Sequence, residues 1–586
     1  MIRVSGQVNK TKNFPMKDNT LESPGPARSS NVACFGRPVL LILFIIFSYW
    51  IYGYRPIASY PDSAVDDGLY LRHARAFIDW LSGLNPRWLG DYDCFLLSKA
   101  PLYGLFLAVL NLLSIPVRIG EFILLLGVSF FFVAACRPWI QLRGWRFFVP
   151  VCLLTWLPLL PSETHLLRNA LQSILTSYLL IAAIGLTLRW RSALREQVRW
   201  AALLGLLFSL SYLNREEAAW ISIVVLFSLS LFWLLTKLNG CFRWRRAVTV
   251  VLVTGLCAIP PILLVCALNY HSYGVFLTTI RRSSAFTSAY QRLTSLEPQF
   301  HKRYVPICRV TRFHAYDLSP TYAKLKPLME GTASYWVAGI DDHSALNGYS
   351  QADKEFFVSN YEFALEYSAY CAGARTAAEA EHFFASIEHE LTAAVRAGRI
   401  RAGMHGPAIL AAPQPGDTKR IFKAWWESFR SLLVLKRAGI DWSDRSKGTA
   451  ASLEQVSLFV HSSLTPENPA GIDFKLRFRV VGCINQVLRV VYWSTIPLLL
   501  VFSTLTFTRD RVIFFQTAVV ATIPLLAVAL FCLAMAVVDT LGFSFLSWMG
   551  YNVLGYSPFS VLSASTFVLV LAHSSRSKTE SVTIAA

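Results

Sequence analysis

The stretch from Tyr60 to Trp80, YPDSAVDDGLYLRHARAFIDW, gathers side chains that can do chemistry. Asp62, Asp66 and Asp67 cluster at its start, and Tyr70, Arg72, His73 and Arg75 follow. Neighbouring carboxylates can take a proton from an attacking hydroxyl or amine, or hold a divalent cation. Arg72 and Arg75 can bind a phosphate through charge-assisted hydrogen bonds. The same letters also fit a solvated loop in which Asp66 or Asp67 caps a helix. Further on, Lys99 opens an apolar segment, SKAPLYG. A lysine there can pair with a lipid phosphate, or snorkel to the interface as an anchor. Two short charged turns add PSETHLLRNA, with Glu163, His165 and Arg168, and LNREEAAW, with Arg215, Glu216 and Glu217. Arginine suits a phosphate leaving group, whereas plain capping of helix ends explains the same charges. Weaker signals fall away: His389-Glu390 lacks the second histidine of a zinc-protease helix, and Asp341, Asp342 and His343 read as a polar turn. The chain has no Walker loop and no GxGxxG, and no metal ligand set can be named.

The elements that must position these residues are membrane helices. The chain has 586 residues, 54% of them hydrophobic and 16% charged, with mean hydropathy +0.43. That is too apolar for a soluble protein and excludes a disordered chain or a disulfide scaffold. Ten stretches approach the roughly 17–25 apolar residues of a spanning helix: 38–54, 119–136, 147–161, 169–188, 200–213, 218–236, 247–268, 487–508, 512–538 and 556–572. A further stretch, 101–117, is decided by charge. If it lies on the surface instead of spanning, the basic loops after the second, fourth and sixth spans all fall on the side of the basic N-terminal tail. Cytoplasmic loops favour Lys and Arg, so both termini are placed inside and 55–118 becomes a long outer loop. With this topology the cytoplasmic segments hold 21 Lys plus Arg against 5 Asp plus Glu. Most of the formal charge of +19 is therefore an orientation signal, and nucleic acid is excluded as a partner.

The expected fold class is an all-α polytopic membrane protein of about ten transmembrane helices plus a large, mostly helical extracytoplasmic domain. The expected divisions are a cytoplasmic tail 1–37, a seven-span core 38–269, an outer domain 270–485, three spans 486–572 and a tail 573–586. Helices are expected at 353–372, 376–398 and 418–438, the second with Phe383, Ile387, Leu391 and Val395 on one face. Residues 441–452 read as exposed loop. The first span reads as a retained anchor, not a cleaved signal. The eleven cysteines form no CxxC pair. Cys94, Cys308 and Cys371 face outward and leave room for one disulfide, with no pairing specified.

An outer loop carrying DDGLY after the first span resembles the acidic motif of GT-C integral-membrane glycosyltransferases, the class of protein O-mannosyltransferases and lipid A aminoarabinose transferases. Asp66 falls on the acidic position, Asp67 beside it and Tyr70 on the usual aromatic. Lys99 to Leu102, KAPL, is similar to the class's KPPL segment, with Ala100 replacing a proline. Arg215-Glu216 resembles its Arg-Glu turn, and Asn269 with Tyr273-Gly274 a turn after the seventh span. The likeness covers about 38–275. Where many relatives have a second acid near the fourth span, this chain offers Asn169 and Gln172, with Glu163 a little before.

The resemblance implies transfer of a sugar from a polyprenyl-phosphate donor to an extracytoplasmic glycan, lipid or protein acceptor, with inversion. Asp66 would be the general base and Asp67 its assistant. Lys99, Arg168, Arg215 and Arg72 would bind the donor phosphate, with Glu216 orienting Arg215, and Tyr70 and Glu163 supporting. No cofactor is specified; a divalent metal is compatible with the carboxylates. The expected location is a bacterial inner membrane with the site facing the periplasm. A transporter or flippase for a lipid-linked sugar or another anionic solute would use the same arginines without chemistry. A non-catalytic assembly protein is a third reading.

Overall fold

The computed structural model describes the chain outside residues 1–31, 53–56, 64–65, 139–144, 157–164, 216–219, 239, 241, 299–303, 332–352, 406–409, 411–412, 415, 434–445, 465–471, 510, 542–555 and 572–586. Among the described residues twenty α-helices run in chain order: α1 Val32–Tyr52, α2 Asp67–Leu81, α3 Leu102–Leu112, α4 Val117–Cys136, α5 Trp145–Thr155, α6 Asn169–Leu188, α7 Leu194–Asn214, α8 Trp220–Leu238, α9 Trp244–Tyr273, α10 Ser284–Ser295, α11 Arg309–Leu318, α12 Pro320–Ala323, α13 Lys326–Met329, α14 Val358–Cys371, α15 Ala377–Arg396, α16 Asp417–Leu433, α17 Ala450–Val460, α18 Ile472–Arg509 and α19 Arg511–Leu541, then α20 Tyr556–Leu571. Among the described residues there is no strand, only isolated bridges such as Ala58 with His165 and Ile57 with Leu464. The chain divides into two compact units, Met1–Ile46 and Phe47–Ala586. In the first, the described residues are the opening of α1.

The protein is an all-helical polytopic membrane protein. Among the described residues each expected span coincides with a helix, and six helical stretches are long and apolar enough to cross a bilayer: Val117–Cys136, Asn169–Leu188, Trp220–Leu238, Trp244–Tyr273, Arg479–Leu505 and Ala521–Leu541. The expected span 147–161 is realised as α5, whose 11 residues reach only about 16 Å; the rest of that stretch lies outside the described residues. The stretch 101–117, expected to lie on the surface, contains α3, also 11 residues and too short to span. The expected border at 485/486 falls inside the continuous helix α18.

The membrane helices close around α6, which is almost wholly buried. It packs against α4, α7, α8 and α19. Small residues allow the approach: a Cβ on Gly205 of α7 would stand 2.1 Å from the carbonyl oxygen of Thr254 in α9.

A second core lies among α10 to α15 and takes in the loop between α2 and α3. Trp88, Leu89, Leu96 and Leu97 pack with Phe286, Tyr290, Phe356, Tyr361 and Phe384. The end of α9 clamps that loop. Asn269 Oδ1 accepts from the indole of buried Trp88 at 3.0 Å, while Tyr273 Oη donates to Gly90 at 2.9 Å. The Asn269/Tyr273 signal in the sequence is thus a docking point for 88–90. The loop is also tied from within: buried His73 meets the Leu96 carbonyl oxygen at 2.9 Å, and burial pushes its pKa down to about 4.

Helix α15 starts with a capping box, the Glu379 amide donating to Thr376 Oγ1 at 3.2 Å and the Thr376 amide to Glu379 Oε2 at 3.0 Å. Its buried face differs from the expected one by a small rotation. Phe384 and Ala394, not Phe383 and Val395, flank Ile387 and Leu391, because Phe384 seats edge-on against Phe286 at 4.9 Å. The loop expected over 441–452 also needs correction. Thr449 accepts from the Ser452 amide at 3.2 Å and starts α17 at Ala450, so 450–452 are helical. Among the described residues the cysteines, Cys94, Cys308 and Cys371 included, are free thiols.

Candidate active site

Helix α2 begins at Asp67 because Asp66 turns the chain: the Tyr70 amide donates to the Asp66 carbonyl at 3.2 Å. The Asp66 side chain makes no cap bond. It pairs instead with Lys99 Nζ, from the loop just before α3. The capping reading therefore fails for this side chain. The snorkelling reading fails for Lys99, which is only 12% exposed, whereas the Asp66 carboxylate is 48% exposed. Tyr70, one turn into α2, lies fully buried beneath the pair, with Lys99 Nζ 5.6 Å from its ring centre. Tyr103 of α3 braces Tyr70 edge-on at 5.1 Å. Gly68 is forced by the same geometry: a Cβ there would stand 2.1 Å from the Ser63 carbonyl oxygen and 2.5 Å from that of Pro61.

Asp67 faces elsewhere. It is buried and accepts from the Tyr60 amide at 2.8 Å. His165 Nδ1 lies 3.6 Å from the same carboxylate, and the Tyr60 and His165 rings meet at 4.5 Å. Arg168 is buried at the start of α6 and donates to the Asn214 carbonyl at 3.4 Å. Asn214 answers through Nδ2 to the Arg168 carbonyl and to Gln172 Oε1, both at 3.0 Å. Arg215 donates to Asn169 Oδ1. The end of α7 and the start of α6 are thereby locked with two arginines side by side.

Electrostatics tie these groups together. Burial opposes ionisation of Asp66, but Lys99, Arg168 and His165 outweigh it and hold the carboxyl below its ordinary value. Burial likewise opposes charge on Lys99, but Asp66 and Tyr70 outweigh it and raise the ammonium above its ordinary value, with Arg168 working against them. Asp66 is the half-exposed member of this group, and Lys99 and Arg168 lie behind it. The group suits an anion such as phosphate.

The structure brings together Asp66, Tyr70, Lys99 and Arg168, with Arg215 joined through Asn169. Arg72 turns to Asp93 at 3.6 Å. Glu163 and Glu216 lie outside the described residues, as do Asp341, Asp342 and His343. Among the described residues no three His, Cys, Asp or Glu side chains group as metal ligands. Sequence reasoning noted His165 but gave it no role; its position three residues before Arg168 was the available signal. The segment 446–464 was missed altogether. The Lys447 amide donates to the Ser59 carbonyl at 3.1 Å, and Lys447 Nζ lies 5.5 Å from the Tyr60 ring centre. No local pattern announces a contact across nearly four hundred residues.

No protein family and no curated protein matches the chain. Among solved structures it is similar to ArnT from Cupriavidus metallidurans, crystallised in the apo state, at 13% identity and a TM-score of 0.28. The match covers 92% of this chain and 78% of that one. A likeness that weak carries no argument, and the site stands on its own side chains.

Proposed function

We propose that the protein is a membrane-embedded glycosyltransferase moving a sugar from a polyprenyl-phosphate donor to an acceptor outside the cytoplasm. The observation that carries this reading is the half-exposed Asp66 carboxylate paired with a buried Lys99, with Arg168 acting on both. The motif resemblance to GT-C enzymes supports it independently. In the resting site Lys99 neutralises Asp66 and makes it a poor base. A donor phosphate competes for Lys99 and Arg168, and so frees Asp66 to work. Asp66 takes the acceptor's proton as the acceptor oxygen bonds to the anomeric carbon. The bond from that carbon to the phosphate oxygen breaks, and the electron pair leaves on the phosphate. Lys99, Arg168 and Arg215 stabilise that charge. Attack opposite the leaving group inverts the anomeric centre. Asp67 assists by holding His165 beside Asp66. Glu163 and Glu216 keep the supporting roles the motif implies, and Arg72 borders the site through Asp93.

The topology proposed with this function places the site on the outer face of an inner membrane, within a core of seven spans, beside a helical outer segment. The test is turnover by purified protein in lipid discs, supplied with labelled polyprenyl-phosphate sugars and membrane acceptors. Asp66→Asn should lose transfer while inserting and eluting like the wild type. Full transfer by that variant sinks the assignment. Uptake or flipping of the labelled lipid with no product favours a carrier instead.

A further inference from the structure

Helix α16, Asp417–Leu433, divides into three faces when its residues are set about 100° apart. Asp417, Ala424, Ser428 and Leu432 share one side and are buried. The helix packs chiefly against α19. Trp425, at the margin of that side, donates from Nε1 to the Ala529 carbonyl oxygen at 3.1 Å. Ala529 belongs to the apolar stretch Ala521–Leu541, so α16 is pinned to the flank of a membrane span. The second face carries Phe422, Trp426 and Phe429, with Phe422 69% and Trp426 51% exposed. Phe429 stacks on Trp425 at 5.9 Å, which stiffens this face. The third face carries Lys419, Lys423 and Arg430, with Arg420 beside them, all exposed. Two acids meet it: Glu427, whose carboxylate lies 3.9 Å from Lys423 Nζ, and buried Asp417, whose Oδ1 accepts from Arg420 Nη1 at 3.2 Å.

Neither bulk water nor hydrocarbon alone accounts for this order. Water would leave Phe422 and Trp426 bare, and hydrocarbon would strand three or four cations. A bilayer interface accounts for both, because apolar and basic faces then meet acyl chains and headgroups respectively. We infer that α16 is an in-plane membrane anchor. Its aromatic face enters the acyl boundary beside α19, and its basic face engages anionic phospholipid headgroups. The anchor tethers the segment between α9 and α18 to the bilayer, whatever reaction the protein performs.

The full-length protein is placed in discs of phosphatidylcholine, or of phosphatidylcholine with phosphatidylglycerol. A nitroxide is attached at Trp426→Cys or at Lys423→Cys, in a background whose reactive cysteines are replaced. Collision rates with oxygen and with a water-soluble nickel chelate are then compared. The label at 426 should show a several-fold higher oxygen-to-chelate ratio than the label at 423. Charge reversal by K419E, K423E and R430E together should lower the ratio at 426 in the anionic discs and leave it unchanged in the neutral ones. Equal access of the chelate to both positions overturns the proposal. Protection of 426 from both reagents also overturns it, because protein then covers the face. If the labelled proteins do not fold, Trp426→Phe serves. Brominated phosphatidylcholine should quench wild-type emission more than the variant's, and equal quenching overturns the inference.

Discussion

Two clusters of buried charge in this molecule are built on opposite plans. Among α10 to α15, Arg312 is fully buried. Its Nη2 donates to Glu330 Oε1 at 3.1 Å and to the Lys354 carbonyl at 2.6 Å, and its Nη1 reaches Glu355 Oε2 at 3.4 Å. Arg309 adds a bond to Glu330 at 3.0 Å, and its amide one to Glu355 at 2.9 Å. Two arginines meet two glutamates, so the charges balance and little remains for a ligand. Around Asp66 the arrangement is open. Buried Lys99 pairs with a carboxylate that is half open to solvent, and Arg168 acts on both. A balanced, sealed cluster stabilises a fold at best modestly and punishes loss of one member. An open one leaves its ion pair within reach of a ligand.

The strongest way to break this comparison is to swap the expected outcomes. Asp66→Asn should cut turnover by about 10²–10⁴, the usual worth of a positioned base, and leave thermal unfolding nearly unchanged. Arg312→Ala should do the reverse. Stranding Glu330 and Glu355 without their guanidinium should cost about 3–5 kcal/mol of stability, read by unfolding in detergent, with any surviving folded protein turning over normally. Destabilisation by Asp66→Asn equal to that of Arg312→Ala would make the first cluster structural too.

A finer cut separates the scaffold of the site from its charges. Gly68→Ala adds a Cβ 2.1 Å from the Ser63 carbonyl oxygen. The turn before α2 must then shift, and Asp66 and Asp67 move with it. The expected cost is about 1–3 kcal/mol, typical of overpacking, together with a turnover loss larger than the stability loss explains. Measuring both in one preparation tests whether the glycine of DDGLY serves placement. Unchanged turnover would show that Asp66 needs no such precision.

The comparison also explains what the sequence made legible. Spans were readable because burial in lipid demands long apolar runs, and α6 and α19 obey that demand without ambiguity. Asp66 and Lys99 stand out in the sequence through the DDGLY and KAPL motifs, and the structure pairs them; Arg168 and Arg215 stand out as basic residues in turns expected to be poor in them. Arg312, Glu330 and Glu355 were not readable. They look like ordinary polar residues of short helices and the turns beside them until tertiary packing encloses them. The same limit hid Lys447, whose contact with Ser59 depends on the chain's return path. The helix start at Ala450 was masked by Gly448 and Ser446, which favour a loop locally, although Thr449 is a good cap.

The smallest expected effect concerns why two carboxylates titrate low. Asp66 is pulled below its ordinary 3.8 by Lys99, Arg168 and His165 against the cost of burial. Glu390 on α15 is also lowered against the cost of burial. There the main causes are hydrogen bonds from Ser319 and Thr321, including the Thr321 amide at 3.0 Å, with a lesser pull from Lys324. A carboxyl lowered in the folded state contributes stability above its unfolded pKa, and that contribution is lost as pH falls through the folded value. Both contributions should therefore be present at neutral pH and fade below about pH 4. They should part company in salt. Ion pairing at a half-exposed side chain is screened, and its worth is about 1 kcal/mol or less. Hydrogen bonds from hydroxyl and amide are not screened in that way. Unfolding midpoints of wild type, Asp66→Asn and Glu390→Gln, followed from pH 7 downward at low and high salt, should show the Asp66 gap shrinking with salt and the Glu390 gap holding. An Asp66 gap indifferent to salt would mean that its partners act as fixed hydrogen-bond donors, and openness to solvent would no longer distinguish the two clusters.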